Sequence, residues 1–294
     1  KIFFFFSFHF YIAFASSEDR QDLISELNIM SRIEPHSNVV RLIGYVTTLG
    51  QVFVVIEYVS HGDLLGFLRK TRGLLDTIYA LPNQISQSRL SQYQLLRMAC
   101  DVVMGMNHLS RNQVIHRDLA ARNVLVGENL VCKITDFGMA RDVKGSDYYT
   151  KRSRGRIPLK WTAIEALVND KYTIKSDVWS FGILLYEIVT IGGKPYPGMG
   201  AREVLRKLKS GWRMQKPAHV DTSLYEIMLK CWSVNPDDRP LFSILEKTFI
   251  DFISANSDYI NVSDYDESQY LEVGGDSSAH SDNEVNLEHE RKIK

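Results

Sequence analysis

Two acid-bearing runs constrain this chain more than any other feature. They are His116-Arg117-Asp118-Leu119-Ala120-Ala121-Arg122-Asn123 and Asp136-Phe137-Gly138. Upstream of the first, Leu95, Met98, Ala99, Val102, Met106 and Leu109 recur at helical spacing from Ser91 onward, which predicts a long buried helix leading into a Val114-Ile115 strand. The first run therefore sits on a loop. Short strands at Val124-Leu125-Val126 and Val131-Cys132-Lys133-Ile134 bracket a Gly127-Glu128-Asn129 turn and deliver Asp136 to the end of the second strand. Acids carried on loops between rigid elements are suited to fixed positioning.

In such a pattern one Asp accepts the proton of a substrate hydroxyl, an Asn five residues on reaches a metal ion, and a second Asp holds Mg²⁺ on nucleotide phosphates. Asp118, Asn123 and Asp136 fill those places. A loop Asp capping its own backbone and a chance Asp-Phe-Gly turn are the plain alternatives. Both runs occurring in order and at workable spacing make chance a poor account.

The composition is that of an ordinary soluble domain: 294 residues, 45% hydrophobic and 24% charged, enough for one large core plus a tail. A formal net charge of zero supplies no general field for nucleic acid, so no nucleic-acid partner is expected. Three widely spaced cysteines, Cys100, Cys132 and Cys231, fit reduced buried thiols and show no zinc spacing.

The chain opens anomalously, with Ile2 to Ala15 almost wholly apolar and crowded with Phe after a single Lys. A secretory signal would end in a small-x-small site such as Ala13-Phe14-Ala15, and a membrane span needs about 20 apolar residues. The favoured reading is that residues 1–14 are foreign to the domain that follows. A helix is expected from Ser16 or Ser17 through Ile33, stopped by Pro35, and then a hairpin of Val39 to Val46 and Val52 to Val59. Gly62-Asp63 opens a helix through Leu68, and residues 72–89 read as a surface insert. Beyond Trp161 the pattern is helical over residues 177–190, 201–210, 224–232 and 241–253. After Ile253 acidic and Ser residues dominate, which predicts an acidic disordered tail over 254–294.

From about Ala15 to Ile253 the chain resembles the protein kinase domain. Leu119-Ala120-Ala121-Arg122-Asn123 and Pro158-Leu159-Lys160-Trp161 resemble the tyrosine-kinase forms of their segments. Asp177-Val178-Trp179-Ser180-Phe181-Gly182 and Asn235-Pro236-Asp237-Asp238-Arg239-Pro240 match later family segments, with Arg239 the implied partner of Glu165. The Asp22-Leu23-Ile24-Ser25-Glu26 helix, the Tyr148-Tyr149 pair and the insert look most like receptor tyrosine kinases of the fibroblast or vascular growth factor type. One departure is Ala163-Ile164-Glu165, where the family has Ala-Pro-Glu.

The resemblance implies an α+β, two-lobed fold, with an incomplete small β lobe and hinge over residues 15–60 and a large helical lobe over 61–253. It implies ATP and Mg²⁺ as cofactors, protein tyrosine as substrate, and a cytoplasmic location beneath a single-pass membrane receptor. Asp118, Arg122 and Asn123 would be catalytic, and Asn123 with Asp136 would hold the metal. Ile56 would be gatekeeper, Glu57 and Val59 would meet adenine through the backbone, and Leu125 would floor the ring. Glu26 is the helix Glu. Tyr148 and Tyr149 would be activation-segment phosphosites with Arg117 as their partner, and phosphorylation in trans within a dimer is a natural expectation. Tyr259-Ile260-Asn261 resembles a motif read by SH2-domain proteins.

A working kinase also needs a Gly-rich loop and a strand Lys that pairs with the helix Glu. No Gly precedes Gly44 and no Lys lies between Lys1 and Lys70. These 294 residues are therefore expected to show little or no phosphoryl transfer by themselves, with a bare apolar edge on the hairpin. A truncated scaffold or pseudokinase that recruits partners through its helical lobe and tail is the alternative reading.

Overall fold

The computed structural model describes residues 7–9, 24, 26–48, 51–72, 90–142, 149–150, 158–255 and 257–270. The expected helix start at Ser16 or Ser17, the insert over 73–89 and Tyr148 lie outside them. A small β part and a larger helical part make the α+β, two-lobed arrangement that the pattern predicts.

The small part holds β1 (Ser7–His9), a helical stretch α1 (26–30), and the hairpin β2 (Leu42–Thr48) and β3 (Gln51–Ile56). Its sheet runs in the order β1-β3-β2, all antiparallel. The bare hairpin edge is thus corrected on one side: Ser7–His9 pairs with Ile56–Val54, so a piece of the Phe-rich run does act as a strand. An extended backbone suffices for that, because ladder bonds are made by main-chain N–H and C=O groups. The outer strand β2 still exposes Ile43 and Tyr45, each more than half.

Residues 36–40 turn away from this sheet and join the helical part. Val40 N–H donates to the Ile134 carbonyl at 2.9 Å, Ile134 N–H returns a bond to the Asn38 carbonyl at 2.9 Å, and Asn38 Nδ2 donates to the Cys132 carbonyl at 3.0 Å. Gly105 permits the approach, since a Cβ there would lie 2.5 Å from the Asn38 carbonyl oxygen.

The helical part begins with α2 (Leu64–Thr71), whose N-cap Asp63 accepts from Gly66 N–H at 2.8 Å. Then come α3 (Gln92–Arg111), opened by a Ser91/Gln94 capping box, and the short pairs β5 (Val124–Val126) with β6 (Cys132–Ile134) and β4 (Val114–Ile115) with β7 (Arg141–Asp142). β8 (Tyr149–Thr150) pairs with β9 (Lys171–Tyr172), which follows α4 (Ile164–Asn169). The core helix α5 (Ile174–Val189) is buried along almost its whole length, and α6 (Ala201–Lys209), α7 (Thr222–Cys231) and α8 (Phe242–Ser254) surround it. Trp179, Phe181, Trp232, Phe242 and Phe249 fill the space between them. Among the described residues no helix is long and apolar enough to cross a membrane.

The expected disordered tail over 254–294 is corrected for residues 257–270, and residues 271–294 lie outside the described residues. Residues 257–270 pack on the helical part: Ile260 and Tyr270 are buried, and Val220 and Ile260 form a β-bridge. Polar composition had hidden the apolar and aromatic residues spaced between the acids.

Candidate active site

The first acid-bearing run is held from beneath by one carboxylate. Asp177, fully buried near the start of α5, accepts the backbone N–H of His116 at 2.8 Å and of Arg117 at 2.9 Å. Those bonds fix a turn in which Arg117 adopts φ 72°, a left-handed conformation that needs outside support in a non-glycine residue. Burial pushes the Asp177 carboxyl up to about 6, and the His116 and Arg117 contacts pull it back down. The sequence places Asp177 in a segment that matches the family, without marking what its carboxylate holds. The available signal was a pair of acids, Asp177 and Glu187, on a mostly apolar helix, where each must find buried donors.

His116 links the two runs. With its proton on Nε2 it donates to the Thr135 carbonyl at 3.0 Å, leaving Nδ1 to accept the Asp118 N–H at 3.3 Å. Its ring lies 5.6 Å from that of buried Phe137. Asp118 is thereby tied to the residue immediately before Asp136.

The Asp118 carboxylate faces two groups. Asn123 Nδ2 donates to Asp118 Oδ2 at 2.8 Å and to its carbonyl at 2.7 Å, and Arg122 forms an ion pair with Oδ1. Burial raises the carboxyl pKa; Arg122, His116 and Asn123 oppose that rise, and Asp136 adds to it. The Arg122 guanidinium stacks 4.6 Å over Trp161. Trp161 Nε1 and Ala121 N–H both donate to buried Glu187, at 2.9 and 3.0 Å. The Leu159–Trp161 turn is therefore locked to the loop carrying Asp118.

Asp136 stands at φ 61° beyond β6, and Gly138 N–H approaches its Oδ1 at 3.4 Å. Glu26 on α1 reaches the same place and accepts the Phe137 N–H at 3.2 Å. The expected helix acid Glu26 and the two expected site acids, Asp118 and Asp136, are thus brought close together. At its other wall Leu125 alternates out of the buried pair Val124 and Val126, and Asp63 bridges to it. Ile56 ends β3, and the Glu57 N–H is engaged by the Arg41 carbonyl at 3.0 Å. The Glu57 carboxylate meets Lys133 Nζ at 3.0 Å and Arg41 N–H at 2.8 Å, a side-chain role that sequence reading did not foresee. Val59 lies 3.5 Å from the position a Cβ would take on Gly127.

Arg117 is nearly buried; its Nη1 donates to the Met139 carbonyl at 3.1 Å and its guanidinium lies 4.4 Å over Tyr172. Tyr172 is the register partner of Tyr149, which brings the activation-segment strand beside Arg117. The Glu165–Arg239 pair forms as expected and is bidentate, at 2.7 and 2.8 Å. Ile164 takes the first position of α4 where the family has Pro, and Ala163 before it is already extended, at φ −64° and ψ 150°.

A cleft between a small β sheet and a helical body, lined by an Asn-braced Asp and a second Asp after a hairpin, defines a protein kinase domain. The family model described as protein tyrosine and serine/threonine kinase matches residues 12–249. The chain belongs to that family. It is 44% identical over 267 residues to the angiopoietin-1 receptor of Danio rerio, covering 90% of this chain and 23% of the relative. It is 41% identical to the tyrosine kinase receptor Cad96Ca of Drosophila melanogaster, over 88% of this chain and 33% of that protein. Against fibroblast growth factor receptor 1 of Xenopus laevis it is 44% identical, over 85% and 31%. The chain therefore spans about a quarter to a third of the length of the receptor tyrosine kinases it matches.

The donor chemistry fits the family's cofactors in part. Asn123 spends its amide nitrogen on Asp118, which leaves its carbonyl oxygen, together with the Asp136 carboxylate, as hard donors for Mg²⁺. Leu125 and Ile56 offer apolar surface to a purine. Among the described residues, no Gly-rich loop or Lys faces Glu26 to hold the phosphates.

Proposed function

We propose that this chain is the catalytic part of a receptor-type protein tyrosine kinase, which transfers the γ-phosphoryl group of ATP to a tyrosine hydroxyl. The observation that carries the reading is the Asp118 carboxylate, held by Asn123 and Arg122 and tied through His116 to the base of Asp136. When bound, Mg²⁺ and ATP supply the phosphoryl group and neutralise its charge. Asn123 and Asp136 hold the metal, and Ile56, Leu125 and the backbone of Glu57 and Val59 receive the adenine. Asp118 orients the phenolic hydroxyl and takes its proton, while Arg122 keeps the carboxylate aimed. Glu187, through Trp161, fixes the turn on which the substrate ring rests.

Phosphorylation of Tyr148 and Tyr149 orders the activation segment against Arg117, and transfer in trans between two copies accounts for the first phosphates. Tyr259, once phosphorylated, recruits SH2-domain proteins. The parent protein is a single-pass receptor with this part in the cytoplasm.

The test compares the 294-residue chain with a chimera in which residues 1–14 are replaced by the first three strands of a related tyrosine kinase. With MgATP and a Glu/Tyr copolymer, the chimera is expected to form phosphotyrosine, the unmodified chain little or none, and the Asp118→Asn chimera none. A folded but inactive chimera, or one that labels serine instead, would overturn the proposal. Efficient transfer by the unmodified chain would overturn the requirement for the missing strands.

A further inference from the structure

The seam between the small sheet and the helical part is built on two imidazoles. His36 opens residues 36–40, and its ring lies nearly flat against that of His108 on α3, with centroids 4.6 Å apart and 18° between the planes. His36 Nδ1 accepts the Asn38 N–H at 3.1 Å. That bond shapes the turn from which Asn38 and Val40 reach Cys132 and Ile134 of β6. Asn38 is buried, so water does not replace an acceptor lost there. The seam has little slack, because the Asn38 carbonyl sits directly over Gly105 of α3.

The hydrogen bonds fix where the ring protons are. An accepting Nδ1 means that His36 is neutral, with its one proton on Nε2. His108 Nε2 lies 2.8 Å from the Glu34 carbonyl, which can only accept, so that nitrogen donates. A second proton on His36 turns Nδ1 into a donor that faces the donor of Asn38. Rotating the ring gives no escape, because both nitrogens of an imidazolium donate.

The surroundings also work against the second proton. Burial, and then His108 on α3, hold the His36 ring below its ordinary value of 6.5; Glu246 of α8 opposes them, and Lys133 of β6 adds to them. Glu246 and Lys133 are engaged elsewhere as well: Glu246 accepts from Asn107 Nδ2, and Lys133 pairs with Glu57 at 3.0 Å.

We propose that His36, stacked on His108, is a pH-sensitive switch: protonation of His36 breaks its bond to Asn38 and releases residues 36–40 from α3 and β6, so that mild acid parts the small sheet from the helical part. The released segment takes up a proton more readily than the docked one. Docking is therefore whole above pH 6.5 and weakens as pH falls below it. The proton comes from solvent, and only hydrogen bonds are exchanged. No residue of the phosphoryl-transfer machinery takes part, so the switch stands apart from the catalytic reading.

The test measures amide exchange at Val40 and Ile134 in the full chain between about pH 7.5 and 5.5, as protection factors that divide out the intrinsic pH dependence, with α5 as the reference. NMR of the ring nitrogens follows His36 in the same samples. Protection at Val40 and Ile134 is expected to fall about threefold or more, within the tenfold per pH unit that one proton permits, with α5 unchanged and in step with the His36 titration. His36→Asn keeps an acceptor for the Asn38 N–H, as in an Asx-turn, and cannot take up a proton. Its protection is expected to stay level. His108→Phe keeps an aromatic face and removes the facing charge, and should move both the His36 midpoint and the loss of protection to higher pH. Glu26 titrates near this window but is present in every variant, so the difference between the parent and His36→Asn belongs to His36. The two variants act independently, and if one misfolds the other decides. Parent protection that ignores pH, an equal fall in His36→Asn, a fall out of step with His36, or a His108→Phe variant with the parent's midpoints would each overturn the proposal.

Discussion

Glu26 carries a carboxyl pushed up to about 7, first by burial and then by the Asp136 carboxylate beside it, with the Phe137 N–H pulling the other way. The folded pKa therefore lies above the unfolded value of 4.5. Between those values the folded chain keeps a proton that the unfolded chain has released, so stability falls as pH rises through that window. Glu26→Gln keeps an acceptor for Phe137 and removes the charge. It is expected to flatten the decline between pH 4.5 and 7 and to stabilise the chain by about 1–3 kcal/mol at pH 8. Thermal melts across pH check this, and a variant with the parent's slope would refute it. Asp177 behaves differently under substitution, because two buried backbone N–H groups depend on it. Asp177→Ala should cost about 2–4 kcal/mol and Asp177→Asn less, since the amide oxygen still accepts one bond. Urea titration of the two variants decides it. The sequence made Asp118, Asn123 and Asp136 readable because their roles attach to residue type and spacing. It left Asp177 and Glu187 unread, because a carboxylate's buried partners come from 60 or so residues away and leave no local mark.

Among the elements, the crossing of α5 and α7 leaves little spare room. A Cβ on Gly182 would stand 2.6 Å from Trp232 Nε1 and 2.8 Å from Cys231 Cβ. Gly182→Ala gains helix propensity of about 1 kcal/mol but overpacks that contact by about 1–3 kcal/mol, and packing is expected to prevail. Calorimetry should show a lower melting temperature; a higher one would mean that α7 shifts freely. The long helices were legible because each repeats apolar residues at its own period and carries a cap, as Ser91 and Asp63 do. α5 began at Ile174, three residues before the expected Asp177, because Thr173 supplies a capping box with Ser176 that the apolar pattern does not mark. The packing of residues 257–270 was missed for a related reason. Tyr259, Ile260, Tyr265 and Tyr270 are spaced by contacts with the lobe and follow neither helical nor strand period.

For the molecule as a whole, the small three-stranded sheet is the point of weakness. β1 covers one edge of β3 through three residues, while β2 keeps exposed apolar side chains on the outer edge. A chain beginning at residue 15 loses that cover and should aggregate faster than the full chain under light scattering, with the difference abolished when another strand is supplied there. Equal aggregation would mean that β1 protects nothing. The apolar run was readable as foreign to the family pattern, yet pairing asks only for an extended backbone, so its place in the sheet could not be read from its composition.

The splice at residues 36–40 acts on this fragile sheet as a mooring acts on a floating dock. The hairpin is made fast at its front by backbone bonds from Asn38 and Val40 to β6, and at its back by His61 and Asp63, which bond to β5. A sheet moored at both ends to one solid bank cannot drift as a separate body. It borrows its order from the helical lobe, which lets the chain hold Glu26 beside Asp136.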